Sequence, residues 1–270
     1  MEQPDLTLEY DQDSPMSDKG DSAEFRSLRK VEPILEFLYR RWWRVEFLGL
    51  ERIPAQSEGP CLIVGNQGSV FPWPALMLGH ALAKRKQGAR RLYVLADLES
   101  GLDERVRTLL EGLGFLDWSS ANMKTLFERG EAVAIFPEGI SGLTKPFSRR
   151  YRLEDFDWTM LLPVVESGVE VYPVSALGFD EINPMLDNFE VLSKLLKMPF
   201  YPVTPFFPWL PMPLNLVQLP VEVSMNVLKK ADYDKVKSRD DMESVAKKLS
   251  FWLEGEIQAE LNRMLRHRGL

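Results

Sequence analysis

Short apolar runs alternate with stretches of helical spacing along most of the chain. Strand-like runs lie at 45–50 (VEFLGL), 61–66 (CLIVGN), 91–97 (RLYVLAD), 131–139 (EAVAIFPEG), 169–178 (VEVYPVSALG) and 220–228 (PVEVSMNVL). Helix-like runs lie between them at 74–86, 103–113, 119–130 and 155–168. The first has proline near its start, and the third has a serine cap and a terminal glycine. Ser238 and Asp241 form a capping-box pattern before a long helix reaching about Arg266. Ahead of the first strand, residues 23–46 read as helix interrupted near Pro33, with Leu35, Leu38, Trp42 and Val45 at helical spacing. This β–α alternation predicts a single α/β domain. Its sheet is mixed but mostly parallel and flanked by helices, with amphipathic helices at the N-terminal end. There is no internal repeat and no linker that would split the folded part.

One stretch breaks the pattern. Prolines 199, 202, 205, 208 and 211 fall every third residue, with Phe200, Tyr201, Phe206, Phe207 and Trp209 among them. That period matches polyproline II. Three readings stand: a stiff apolar lip against a membrane or over an acyl groove, packing over the core, or an SH3-type ligand without the usual flanking basic residue. A second membrane-like feature is the aromatic and basic run Arg40, Arg41, Trp42, Trp43 and Arg44 on the N-terminal helix. It reads equally as a helix packed on the domain with its arginines in solvent.

Charge refines this picture. The chain of 270 residues is 45% hydrophobic and carries a net charge of −7. Residues 1–24 hold eight acids against Lys19 alone, so of 40 acids and 33 bases, 32 of each remain in the rest. Residues 1–22 are expected to be an acidic disordered tail, and 23–270 the domain. Nothing in this balance points to nucleic acid. No apolar stretch is long enough to span a membrane, and the N-terminus lacks the basic and apolar regions of a secretory signal. The single Cys61 forms no internal disulfide and reads as an inert core thiol. The protein is expected to be cytoplasmic, peripheral on the inner face of a membrane.

The turn after the second strand, GNQGSVFPWP, lies where α/β proteins keep their chemistry. It contains no histidine, acid or cysteine. Ser69 does not sit in a nucleophile elbow and has no acid–base partner nearby. Between Glu58 and Asp97 there is no acid, and the only histidine there is His80; the chain's other histidine is His267. A second basic group, Lys84, Arg85, Lys86, Arg90 and Arg91, reads as a solvated helix end or a contact for anionic lipid.

Three blocks, VGNQGSVFPWPALML, VAIFPEGISGLTKPFSRRYRL and VYPVSALG, resemble in order and wording the glycerolipid (lysophospholipid) acyltransferase family, of the 1-acylglycerol-3-phosphate acyltransferase kind, over residues 45–230. Members of that family act at membranes and move an acyl chain from acyl-CoA or acyl carrier protein to a glycerolipid hydroxyl. The resemblance implies a histidine after Asn66 as general base, oriented by an aspartate four or six residues further on. Here the histidine position is Gln67, and the aspartate positions fall on Pro72 or Pro74. A glutamine amide cannot take the proton. Phe136, Pro137, Glu138 and Gly139 keep the family's acceptor-site block, but Ile140, Ser141 and Gly142 stand where a phosphate-binding arginine usually follows. Lys145, Arg149, Arg150 and Arg152 offer four cations for a phosphate or the CoA diphosphate, or form a solvated loop.

The expectation is therefore a protein of this family that has lost its catalytic pair and binds lipid, acyl chains or a protein partner at a membrane surface, with no cofactor or metal required. The alternative is an active acyltransferase with an atypical site, using acyl-CoA or acyl carrier protein, with the base supplied by donor or acceptor or by His80.

Overall fold

The computed structural model describes residues 27–98, 104–196, 200–210, 218–233 and 241–269. The acidic tail, Asp103, Pro199, Pro211, Pro213 and Ser238 lie outside the described residues.

The strands are β1 (Glu46–Leu48), β2 (Cys61–Gly65), β3 (Leu92–Ala96), β4 (Phe115–Asp117), β5 (Ala132–Ile135), β6 (Glu170–Leu177), β7 (Asp187–Asn188), β8 (Pro202–Val203) and β9 (Ser224–Val227). Seven of them form one sheet in the order β1-β9-β6-β2-β5-β3-β4. The run from β6 to β4 is parallel; β9 is antiparallel to β6, and β1 runs parallel to β9. The α/β architecture with a mixed, mostly parallel sheet is thus as the sequence predicts. β7 and β8 pair separately as a small antiparallel ribbon.

Helices cover both faces: α1 (Leu28–Phe37), α2 (Trp73–Lys84), α3 (Glu104–Glu111), α4 (Ser120–Glu128), α5 (Gly139–Leu143), α6 (Leu162–Ser167) and a C-terminal helix, Met242–Arg268. Successive strand residues point to opposite faces. On β2, Cys61 and Ile63 join the core under α1 and α2, while Leu62 and Val64 join the core under α4, α6 and the C-terminal helix. On β5 the first face is Ala132 and Ala134, and the second is Val133 and Ile135. Burial lifts the Cys61 thiol to about 11, in keeping with an inert residue.

Four expectations change. Pro33 does not interrupt α1, which runs through it to Phe37. The break comes at a π-helical turn, Leu38–Trp42, closed by Trp43 N–H donating to the Leu38 carbonyl at 2.8 Å. The wider turn brings Trp43 inward, edge-on to Trp73 at 4.9 Å. The segment 155–168 splits into a 3-10 turn, Trp158–Leu161, and then α6. The described part of the proline-rich stretch is not polyproline II: Pro202–Val203 pairs with Asp187–Asn188, and turns follow. Asp241 itself caps the C-terminal helix, accepting from Ser244 N–H at 2.7 Å.

Candidate functional site

Three turns meet at the carboxyl ends of the adjacent strands β6, β2 and β5. They are Asn66–Ser69 after β2, Phe136–Leu143 after β5, and Gly178–Asp180 after β6. This is the edge where open α/β sheets bind ligands. Two glycines permit the close approach. A Cβ on Gly68 would lie 2.8 Å from Phe179 Cβ, and one on Gly142 would lie 2.7 Å from Glu138 Cβ and 2.8 Å from Gln67 Cβ.

Asn66 ties two strands. Its Oδ1 accepts from Ala176 N–H at 2.7 Å, and its Nδ2 donates to the Ala176 carbonyl at 3.0 Å. Gln67, where the resemblance implies a base, is buried. Its backbone N–H donates to Glu138 Oε1 at 2.7 Å. Its side-chain Oε1 is buried and accepts from no group among the described residues. Ser69 is buried and gives its hydroxyl to the Phe71 carbonyl. Pro72 caps α2, and Pro74 is buried in its first turn, where a proline costs no helical hydrogen bond.

Glu138 is used internally. Besides Gln67, its Oε2 accepts from Glu154 N–H at 2.8 Å. Lys145 Nζ lies 3.9 Å from that oxygen and 3.6 Å from Asp180 Oδ1, and it donates to the Arg152 carbonyl at 2.9 Å. Asp180 Oδ2 in turn accepts from Tyr151 N–H at 3.3 Å. Desolvation pushes Glu138 up to about 7 and Asp180 up to about 6, with Lys145 opposing both. Tyr151 is held at φ 66, a left-handed conformation rare for a bulky residue.

The candidate contacts differ in their surroundings. Phe136, Pro137, Glu138 and Lys145 are buried, and the Lys145 ammonium is committed to two carboxylates instead of an external phosphate. Gly139, Arg149, Arg150 and Arg152 are exposed. Arg149 pairs with Glu154 at 3.0 Å, and Arg150 lies 4.5 Å over the Phe147 ring. In the N-terminal run, Trp43 is fully buried and belongs to the core, not to a membrane contact. Trp42 is partly buried and donates its indole N–H to the Gln218 carbonyl at 3.0 Å. Arg40 pairs with Glu36 at 2.6 Å and Arg44 with Glu222 at 2.9 Å, and Arg41 is exposed. Phe206 and Phe207 are half-buried, and Trp209 is exposed.

His80 belongs to another part of the molecule. It is buried beneath α1, where its Nε2 meets Glu36 Oε2 at 2.9 Å and its ring tilts against Tyr39 at 5.3 Å. Desolvation lowers its pKa. It packs on α1 while Gln67 packs on Glu138 and Gly142, which removes His80 as a substitute base. The second basic group is also structural in part. Buried Arg90 donates to the carbonyls of Pro54 at 3.0 Å and Gly130 at 3.1 Å, and Arg85 to that of Ile53 at 2.7 Å. The residues that sequence reasoning missed are Asp180 and Gly142. An acid two residues past Gly178, at the end of a predicted strand, was the available signal.

No family model matches the chain. An uncharacterized protein of Mycobacterium tuberculosis is 33% identical over 243 residues, covering 88% of this chain and 66% of its own length. One of Mycobacterium leprae is 36% identical over 192 residues, covering 70% of this chain and 51% of its own length. The chain thus spans between half and two thirds of the relatives it matches. The crystal structure of the 1-acyl-sn-glycerophosphate (LPA) acyltransferase PlsC from Thermotoga maritima matches with a TM-score of 0.56, covering 88% of this chain and 79% of that one at 16% identity. The fold is therefore acyltransferase-like. Among the described residues, no helix is long and apolar enough to cross a membrane.

Proposed function

We infer that this protein belongs to the glycerolipid acyltransferase family, has lost the catalytic pair, and binds a glycerolipid or acyl chain at a membrane surface without transferring the chain. The observation that carries this reading is the state of the turn after β2. Gln67 stands where a base is needed, its backbone is pinned by Glu138, and its side-chain oxygen is buried without a partner among the described residues. An amide oxygen accepts a hydrogen bond from a lipid hydroxyl but does not remove the proton. Loss of a positioned base commonly costs about 10²–10⁴ in rate. A hydroxyl donor reaching Gln67 Oε1 would satisfy an atom whose isolation costs about 1–3 kcal/mol, which favours retention of such a ligand.

A second reading, an active enzyme with an atypical site, draws on the place of Glu138, a buried carboxyl beside Gln67 that desolvation pushes up to about 7. Both of its oxygens already accept backbone N–H groups, which argues against its free use as a base. In that reading acyl-CoA or acyl carrier protein is the donor, and exposed Arg149, Arg150 and Arg152 are available to the donor's phosphates. Native mass spectrometry of gently purified protein tests the first reading. Retained glycerolipid or fatty acid, reduced by Gln67→Leu, is expected. A lipid-free protein that also fails to take up added lysophospholipid overturns it.

A further inference from the structure

The apolar surface of the described residues is unevenly distributed. Five of the thirteen exposed large apolar side chains, Leu186, Phe189, Val191, Leu195 and Trp209, fall in one small module. It consists of the ribbon β7–β8, the helix Glu190–Leu196 and the turns that follow β8. Phe207 packs inward against Phe189 at 6.3 Å and Tyr201 at 6.1 Å, giving the module a ring cluster of its own. Val191 and Leu195, four residues apart, share one helix face and point outward at 72% and 74% exposure, and Trp209 does so at 85%. Exposure of this density marks an interaction surface.

Two features identify the occupant. The module leaves the fold just beyond Asp180, at the carboxyl edge of the sheet where the candidate site lies. It also adjoins the basic loop: Phe147 N–H donates to the Met185 carbonyl at 2.6 Å, next to Leu186, and Arg149, Arg150 and Arg152 follow Phe147 in exposed positions. Apolar side chains beside guanidinium groups match a bilayer, with acyl chains below and anionic headgroups above. Within the module, the Asp187 carboxylate accepts from Asn188 N–H at 2.8 Å.

We propose that the module formed by residues 186–196 and 200–210, with Arg149, Arg150 and Arg152, is a membrane-docking element that inserts Val191, Leu195 and Trp209 into an anionic lipid surface and brings the carboxyl edge of the sheet against it. The inference rests on the lipid-binding reading only for its choice of a bilayer as occupant. It moves the docking surface away from the N-terminal aromatic run, whose Trp43 lies in the core.

The test is flotation of the full chain with phosphatidylglycerol-containing vesicles and with pure phosphatidylcholine vesicles. Wild type is expected to float with the anionic vesicles and to be released by high salt. Val191→Asp/Leu195→Asp/Trp209→Ser is expected to stay at the bottom, while Phe251→Ser, an exposed aromatic on the C-terminal helix, floats like wild type. Arg149→Glu/Arg152→Glu is expected to weaken anionic-vesicle binding by about tenfold or more. Against misfolding of the triple variant, brominated acyl chains should quench a part of wild-type emission that Trp209→Phe lacks. Failure of wild type to float, flotation of the triple variant, or Trp209 emission untouched by brominated lipid overturns the proposal. So does a triple variant that dissolves a protein oligomer and still floats, since the face would then be a protein interface. Vesicle binding without retained lipid leaves the docking element standing and removes the lipid-site reading; retained lipid without vesicle binding does the reverse.

Discussion

Replacing Lys145 with Met removes the ammonium that lies between two buried carboxyls while keeping the length of the side chain. The ammonium stands 3.9 Å from Glu138 and 3.6 Å from Asp180. At an effective dielectric of about 20, each contact carries about 4–5 kcal/mol of gross attraction. Desolvation of the lysine offsets much of this, and removing one partner of a buried ion group costs about 3–5 kcal/mol. The cost must depend on pH. Burial already lifts Glu138 from 4.5 to about 7 and Asp180 from 3.8 to about 6. A raised carboxyl binds its proton more tightly in the native state than in the unfolded chain. Its contribution is therefore full below its ordinary value and is lost as pH rises through the raised one. Without Lys145 both carboxyls rise further, and the loss extends above pH 7. Urea unfolding followed by circular dichroism should show the deficit of Lys145→Met at about 3–5 kcal/mol at pH 8, shrinking toward pH 5, where both carboxyls are neutral. Equal deficits at the two pH values, or a deficit below about 1 kcal/mol at pH 8, would refute the assignment of this cluster.

Further outcomes follow from the same geometry. Trp43→Ala should lose about 3–5 kcal/mol in urea unfolding, as a buried aromatic does, where a surface residue would lose almost nothing. Asn66→Ala strands the Ala176 N–H and carbonyl and should cost about 2–4 kcal/mol by the same assay. Gly142→Ala forces a methyl against Gln67 and Glu138 and should cost about 1–3 kcal/mol, with weakened lipid retention by native mass spectrometry. His80→Ala should lower stability by about 1–3 kcal/mol through loss of the Glu36 bond, yet leave lipid retention unchanged; falsified if retention falls with it.

The six strands β1, β2, β3, β5, β6 and β9 are readable because each is a compact apolar run set off by turn residues, and the helices α2 and α4 because their start signals are local; the two-residue β7 and β8 carry no such run. β4 was not, since Phe115–Asp117 is three residues long and is held in place only by pairing with β3. The π-helical turn also escaped, because what decides it is the burial of Trp43 against Trp73 and Phe179, contacts between residues far apart in sequence. At the site, a glutamine where the resemblance implies a base is visible at one position of the chain. The commitment of Glu138 and Lys145 to each other's surroundings was not, because Asp180 reaches them from another strand end. A basic loop in sequence became one buried cation and three exposed ones.

The central claim is that the turn holding Gln67 cannot deprotonate an acceptor hydroxyl. The most direct measurement is transfer of a labelled acyl group from acyl-CoA or acyl carrier protein to lysophospholipid by the purified wild-type protein, beside Gln67→Ala and a preparation from cells lacking the gene. The account predicts no product above that background for either form. Transfer by wild type that rises above it and disappears with Gln67→Ala would contradict the account and establish a working active site.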